Sequence, residues 1–329
     1  MKDAGALLHS TKSPNVPAQD RIGVLLMALG GPDSLDAVGP YLKELRGGRE
    51  TPLELIDEIK ERYRVTGGKS PVLAITTELA GKLESRLCVD GVLAKVYVGF
   101  RHWHPFIGDV YRQMEKDGVR RIVGVCMAPQ NSQMTVGAYI SKVEEARRQS
   151  STPSQFTCVR SWSTHPLLID AIAANIETTR RRFSPDGSVP ILFTAHSLPS
   201  RIVKNQDTYP QEVQATVDAV VARVRPEIWR FAYQSQGRSE EPWLGPTVEA
   251  VLEELERTGH RQVLFAPIGF VSDHVEILYD IDVEFQKLAT QKAMRLERIP
   301  MLNATPPLVE TLADVIQSHL QETGALPSA

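Results

Sequence analysis

From Arg21 onward, short apolar runs alternate with longer stretches in which apolar residues recur every three or four positions. The first pattern predicts buried strands and the second amphipathic helices. Strands are predicted at Ile22–Leu29, Ala94–Phe100, Arg121–Ala128 and Phe156–Trp162, and again at Val189–Ala195, Ile228–Gln234, Gln262–Ile268 and Arg295–Ile299. Helices are predicted between them, at Leu53–Tyr63, Thr76–Leu87, Pro105–Lys116, Thr135–Gln149, Leu167–Phe183, Gln211–Val224, Pro246–Thr258, His274–Leu288 and Pro306–Gln321. Many open on a capping residue or an N1 proline. Strands that are apolar throughout, separated by helices, belong to parallel sheets covered on both faces, so the class is α/β. Four strands in each half, with no long linker, predict two similar doubly wound lobes. They are taken as residues 21–164 and 165–329, with room for the C-terminal helix to pack back on the first. No repeat of 20–50 residues and no low-complexity tract interrupts the pattern.

Composition narrows the options by exclusion. Lys and Arg number 37 against 40 Asp and Glu, a formal charge of −3, and 42% of residues are hydrophobic. Such a chain has no basic surface to track a phosphate backbone, so nucleic acid is not expected as a partner. Cys88, Cys126 and Cys158 never approach CxxC spacing, which argues against a zinc site or a disulfide framework and predicts a reduced, cytoplasmic protein. Three scattered thiols also fall short of the four that usually hold an iron–sulfur cluster. No apolar run reaches the ~20 residues of a transmembrane segment. Residues 1–20 lack a signal peptide's charged start and sustained apolar run, and read as a flexible lead-in.

In open α/β sheets a ligand sits beyond the carboxyl ends of the strands, so the residues just after each strand are the candidates for chemistry. His196 directly follows VPILFTA and precedes Ser-Leu-Pro, a rim position where an imidazole serves as a base or a metal ligand. Position alone leaves a capping histidine in a turn equally open. Glu276, Asp280 and Glu284 fall at i, i+4 and i+8, one helical stripe spanning about 12 Å. Such a stripe is normally a solvated acidic face. Here it carries no interleaved cation and begins at a strand-end loop, which suits a path for a hydrated divalent cation. One histidine and one carboxylate form an incomplete metal site, suited to handing a metal on rather than keeping it. The His102/His104 pair is read as a strand-to-helix connection. Gly30-Gly31-Pro32 breaks the GxGxxG pattern, so its glycines serve a tight turn or close approach to a flat ligand rather than a dinucleotide.

Taken in order, GVLLMALGGP (23–32), GGKSP (67–71), FTAHSLP (193–199), YPQE (209–212), YQS (233–235), PWLGP (242–246) and SDHVE (272–276) resemble ferrochelatases over about residues 21–320. The resemblance implies two Rossmann-like lobes enclosing a porphyrin cleft, and insertion of Fe²⁺ into a free-base porphyrin in haem synthesis. Iron and porphyrin are then substrates, with no tightly bound cofactor, and transient contact with neighbouring haem-pathway enzymes is in keeping with it. His196 and Glu276 correspond to the family's active-site pair, which contacts metal and handles pyrrole protons, with Asp280 and Glu284 as the acidic line behind it. The short connection through residues 46–63 resembles enzymes that use coproporphyrin III more than those that use protoporphyrin IX. Arg46, Arg49, Asn131, Ser132 and Tyr139 are candidates to bind its propionates. Leu29, with Ile268 and Phe270, is a candidate to grip the ring, and stands where coproporphyrin enzymes often carry Tyr. The rivals are protoporphyrin IX as substrate, cobalt or nickel insertion into a reduced tetrapyrrole, and a non-catalytic porphyrin or haem carrier, which would have no use for the acidic stripe.

Overall fold

The computed structural model describes residues 22–183 and 188–326; the predicted lead-in lies outside the described residues. In the first half, β1 (Ile22–Ala28) is followed by α1 (Val38–Leu45), α2 (Leu53–Val65), α3 (Val72–Val89), β2 (Ala94–Phe100), α4 (Ile107–Lys116), β3 (Arg121–Cys126), α5 (Ala138–Arg148) and β4 (Gln155–Val159). The second half runs α6 (Pro166–Arg180), β5 (Ile191–His196), α7 (Arg201–Lys204), α8 (Tyr209–Val224), β6 (Trp229–Gln234), α9 (Val248–Arg257), β7 (Gln262–Pro267), α10 (Val275–Leu278), α11 (Gln286–Gln291), β8 (Arg295–Arg298) and α12 (Pro306–Glu322). The eight predicted strands are all present, each within a few residues of its expected ends. Helix α1 was not anticipated, because its apolar residues are too few for a clear period.

The strands form two four-stranded parallel sheets with the same order, β2-β1-β3-β4 and β6-β5-β7-β8. The central strands are buried on both faces: every residue of β1 is buried, which is why its sequence is apolar without alternation. Edge strands β2 and β4 are half-buried and mix polar residues in. In each sheet the second strand is added on one side of the first and the third on the other, and the crevice at that switch opens beyond β1 and β5. Beyond β1, Gly30 takes φ +89°, a conformation that favours glycine. A Cβ on Gly31 would lie 2.6 Å from the Ser70 hydroxyl, so this pair makes room for the protein's own chain rather than for a flat ligand.

The halves are not independent. One apolar cluster runs from Leu26 and Val125 through Leu168, Val217 and Leu312 to Phe193 and Leu264. Helix α12 lies against α3 and β4 of the first half as well as α6. Polar ties reinforce the seam. The Ser132 hydroxyl and the Gln133 amide both donate to Asp207 Oδ2, at 2.9 and 2.8 Å, and the Asn131 amide donates to Glu212 Oε2 at 2.8 Å.

Leu312 has no exposed surface, so Leu312→Ala is expected to cost about 2–5 kcal/mol. Because the core is continuous across the seam, urea should unfold the variant in one shifted transition, coincident by fluorescence and circular dichroism. Two separated transitions of which only one moves would contradict the shared core.

Candidate active site

The carboxyl ends of β5, β6 and β7 bring together side chains far apart in sequence. His196 closes β5, and its Nε2 lies 3.4 Å from Glu276 Oε1. Its Nδ1 bonds the Ser197 carbonyl, which places a proton on Nδ1 and leaves Nε2 as the working nitrogen. The Tyr209 hydroxyl donates to the His196 carbonyl at 2.8 Å, fixing the strand end. Glu276 stands in α10, and its backbone is held in turn: Gln234 Nε2 donates to the Glu276 carbonyl at 3.1 Å, while Gln234 Oε1 accepts from Thr194 at 2.7 Å. On its other side Glu276 Oε2 lies 3.5 Å from His274 Nε2. Phe270 packs between the two imidazoles, its ring 4.7 Å from His274 and 6.4 Å from His196.

Burial and charge compete at each group. Burial disfavours the imidazolium of His196, yet the Glu276 carboxylate outweighs it and pushes the pKa up to about 8. Burial would raise Glu276, but His196 and His274 hold it well below the usual carboxylate range. Asp280 is pushed up to about 6, chiefly by burial, with Glu276 and Glu284 adding to the rise while the Ser235 hydroxyl and Arg62 oppose it. Ser235 reaches Asp280 Oδ2 at 2.5 Å from a backbone at φ +59°, uncommon for a residue other than glycine.

The acidic stripe differs from its sequence reading in two ways. It does not lie on one α-helix: the turn of α10 passes into a π-helical segment, Asp280–Phe285, before α11. Nor is it without a cation. Arg62, from α2 of the other half, places Nη1 3.3 Å from Asp280 and Nη2 3.9 Å from Glu284. Its guanidinium also lies 4.8 Å from the Tyr279 ring centre. Nothing local could have shown this, because Arg62 and Asp280 are 218 residues apart in sequence. Asp282 turns aside to Arg298, which binds it with two hydrogen bonds of 2.8 Å and pins the π-helical segment to β8.

The structure separates the remaining candidates. Arg46 and Arg49 flank the exposed loop after α1, where Arg49 Nε donates to the Arg46 carbonyl at 3.0 Å. Tyr139 is withdrawn as a propionate donor: it is buried in the first-half core with Cys126 and Val136, and burial raises its phenol, with a contribution from the Glu276 charge. Ser132 is corrected as a propionate donor, being fully buried with its hydroxyl on Asp207. Asn131 is half-buried, and its side-chain amide donates one hydrogen bond to Thr208 at 3.2 Å. Ile268 is likewise withdrawn from gripping a ring, being 1% exposed, whereas Leu29 is 36% exposed and Phe270 half-buried. His102 is buried and His104 exposed against Phe106, so the pair does not converge on a metal. His274, Ser235, Gln234 and Arg62 were not singled out beforehand. His274 had a signal, since it stands two residues before Glu276 in SDHVE.

The ferrochelatase family model matches residues 21–320. Among curated relatives, a ferrochelatase of Herpetosiphon aurantiacus is 38% identical over 90% of this chain and 98% of that one. One of Deinococcus radiodurans is 39% identical over 92% and 98%. A coproporphyrin III ferrochelatase of Halalkalibacterium halodurans is 35% identical over 92% and 98%. Among solved structures, SirB from Bacillus subtilis with Fe³⁺ superposes with a TM-score of 0.58 at 11% identity, covering 92% of this chain and 98% of that one, a likeness of fold alone.

The pair geometry makes a spectroscopic prediction. The His196 imidazole should titrate near pH 8 by NMR. In Glu276→Gln the carboxylate that chiefly holds its proton is gone while burial remains, so the midpoint should fall from that value. A midpoint unmoved by the substitution would detach the two residues electrostatically.

Proposed function

Since the chain belongs to the ferrochelatase family and so inserts ferrous iron into a porphyrin in haem biosynthesis, we propose that its porphyrin is coproporphyrin III and that His196 and Glu276 carry the chemistry. The observation behind this assignment is the 3.4 Å pair at the end of β5, with Asp280 and Glu284 leading outward from it to a more exposed carboxylate. Coproporphyrin is supported by relatives of that name at 31–35% identity, and by Arg46 and Arg49 on an exposed loop. The macrocycle has four propionates, for which guanidinium groups are fitted donors. Protoporphyrin IX is the second reading, favoured by Leu29 at the end of β1, an exposed apolar side chain where a more polar cleft would be expected.

Insertion releases two pyrrole protons as iron enters, so a base must stand beside the ring. At pH 7 an imidazole with a pKa of about 8 is mostly protonated, with roughly a tenth in the basic form. Iron approaching Glu276 removes the negative field that keeps that proton on. His196 then loses it along the acidic line, takes the first pyrrole proton, passes that outward by the same line, and is free to take the second. Binding of the macrocycle's rim supplies the ~1–5 kcal/mol that bending the ring requires, and bending turns the nitrogen lone pairs toward the metal. The flat product fits the bent cleft less well and leaves. We place the enzyme in the cytoplasm: its three thiols are unpaired, and among the described residues no helix is long and apolar enough to cross a membrane.

Anaerobic Fe²⁺ insertion into coproporphyrin III and protoporphyrin IX, measured side by side, tests the substrate. A higher kcat/KM for coproporphyrin is expected, and the reverse order would hand the assignment to Leu29 and its apolar neighbours. His196→Ala should lower kcat by about 10²–10⁴-fold, the usual reach of a general base, while the fold persists by circular dichroism. Near-normal turnover would remove His196 from the reaction.

A further inference from the structure

Arg62 occupies the place where a cation would approach. One guanidinium from the first half meets Asp280 and Glu284 of the second, at 3.3 and 3.9 Å, and Glu58 of its own helix at 3.2 Å. Its Nε is buried without a hydrogen-bond partner, so the group is not fully satisfied where it sits. A guanidinium cannot shed its charge, and hence can leave the carboxylates only by moving. It has somewhere to move to. Glu58 lies one turn away on α2 and is also paired with Arg238, so an arginine released from Asp280 keeps a carboxylate partner on its own helix.

We propose that Arg62 is an internal counter-cation that closes the acidic approach to His196 and Glu276, and that an entering divalent cation displaces it from Asp280 and Glu284 and leaves it on Glu58 alone. The inference rests on reading Asp280 and Glu284 as the approach of the iron. Carboxylates facing one another with no cation would repel and splay, so Arg62 keeps the line assembled between turnovers. A doubly charged metal competes for the same oxygens with twice the charge. Its arrival exchanges one cation for another instead of leaving bare acids or an isolated buried charge. Arg62 also spans the halves, so the exchange breaks one of the polar contacts between α2 and the acidic segment. Metal loading and loosening of this contact between α2 and the acidic segment then become one event.

Co²⁺ binding without porphyrin, followed by calorimetry in the full chain, tests this. Glu284→Gln should weaken binding, and Arg62→Gln should tighten it by about fivefold, the scale of a partly exposed ion pair. Arg62→Lys, which keeps the charge, should return the affinity toward wild type. Glu58→Gln removes the resting place on α2, holds Arg62 on the acidic line and should weaken Co²⁺ binding. This second variant decides the matter if Arg62→Gln does not fold. If Glu284→Gln weakens binding while Arg62→Gln leaves it unchanged or weaker, the counter-cation role is overturned and the approach path stands. An unchanged affinity in Glu284→Gln would instead overturn the approach path itself.

Discussion

A carboxylate buried between two imidazoles is stable only while one of them carries a proton or a cation stands nearby. Glu276 is held in that condition by His196 and His274, and the rest of the site is arranged around it. Its backbone is tied through Gln234 to Thr194, which anchors the charged turn to the central strand of the second sheet. Its charge raises His196 and contributes to raising Asp280, so a proton is stored within reach of the site at neutral pH. In the proposed reaction a divalent metal replaces that proton, and the same electrostatic balance prepares His196 as the base.

The seam between the halves constrains where this balance can be struck. His196 is positioned from outside its own strand by Tyr209, and Asp207 fixes the start of that helix by accepting from the Tyr209 amide at 3.0 Å. Asp207 also receives Ser132 and Gln133 of the first half. Displacement of the halves at this point would therefore be transmitted to the imidazole. Buried polar groups so connected rigidify the joint, since leaving any one unpaired would cost about 1–3 kcal/mol. A second contact between the halves is ionic and more exposed, through Arg62 and Arg238. The halves are thus joined firmly at Asp207 and by more exposed charges at α2.

Much of this was legible along the chain, and the division follows from the range of the forces involved. Strand identity rests on local apolar runs and parallel sheets bury both faces, so β1 through β8 could be read from the sequence, and with them the rim positions of His196 and Glu276. The ordered motifs carried the family as well. Contacts set by long-range packing could not be read in this way. Arg62 is one of two arginines in a charged helix, and only the folded chain brings it to Asp280. Ser132 looked like an available hydroxyl beside a strand end, and burial at the seam turned it into a structural tie. The single α-helix expected over 274–288 became an α-turn, a π-helical segment and a further helix, a change in hydrogen-bond register that amphipathic periodicity does not resolve. The sequence by itself determined the α/β architecture, the family and the strand-end positions of His196 and Glu276, because these depend on residue type and order. Which charges neutralise the acidic line, which hydroxyls face the cleft and where the halves are stiff were decided by the tertiary structure, because each depends on groups that meet only after the chain has folded.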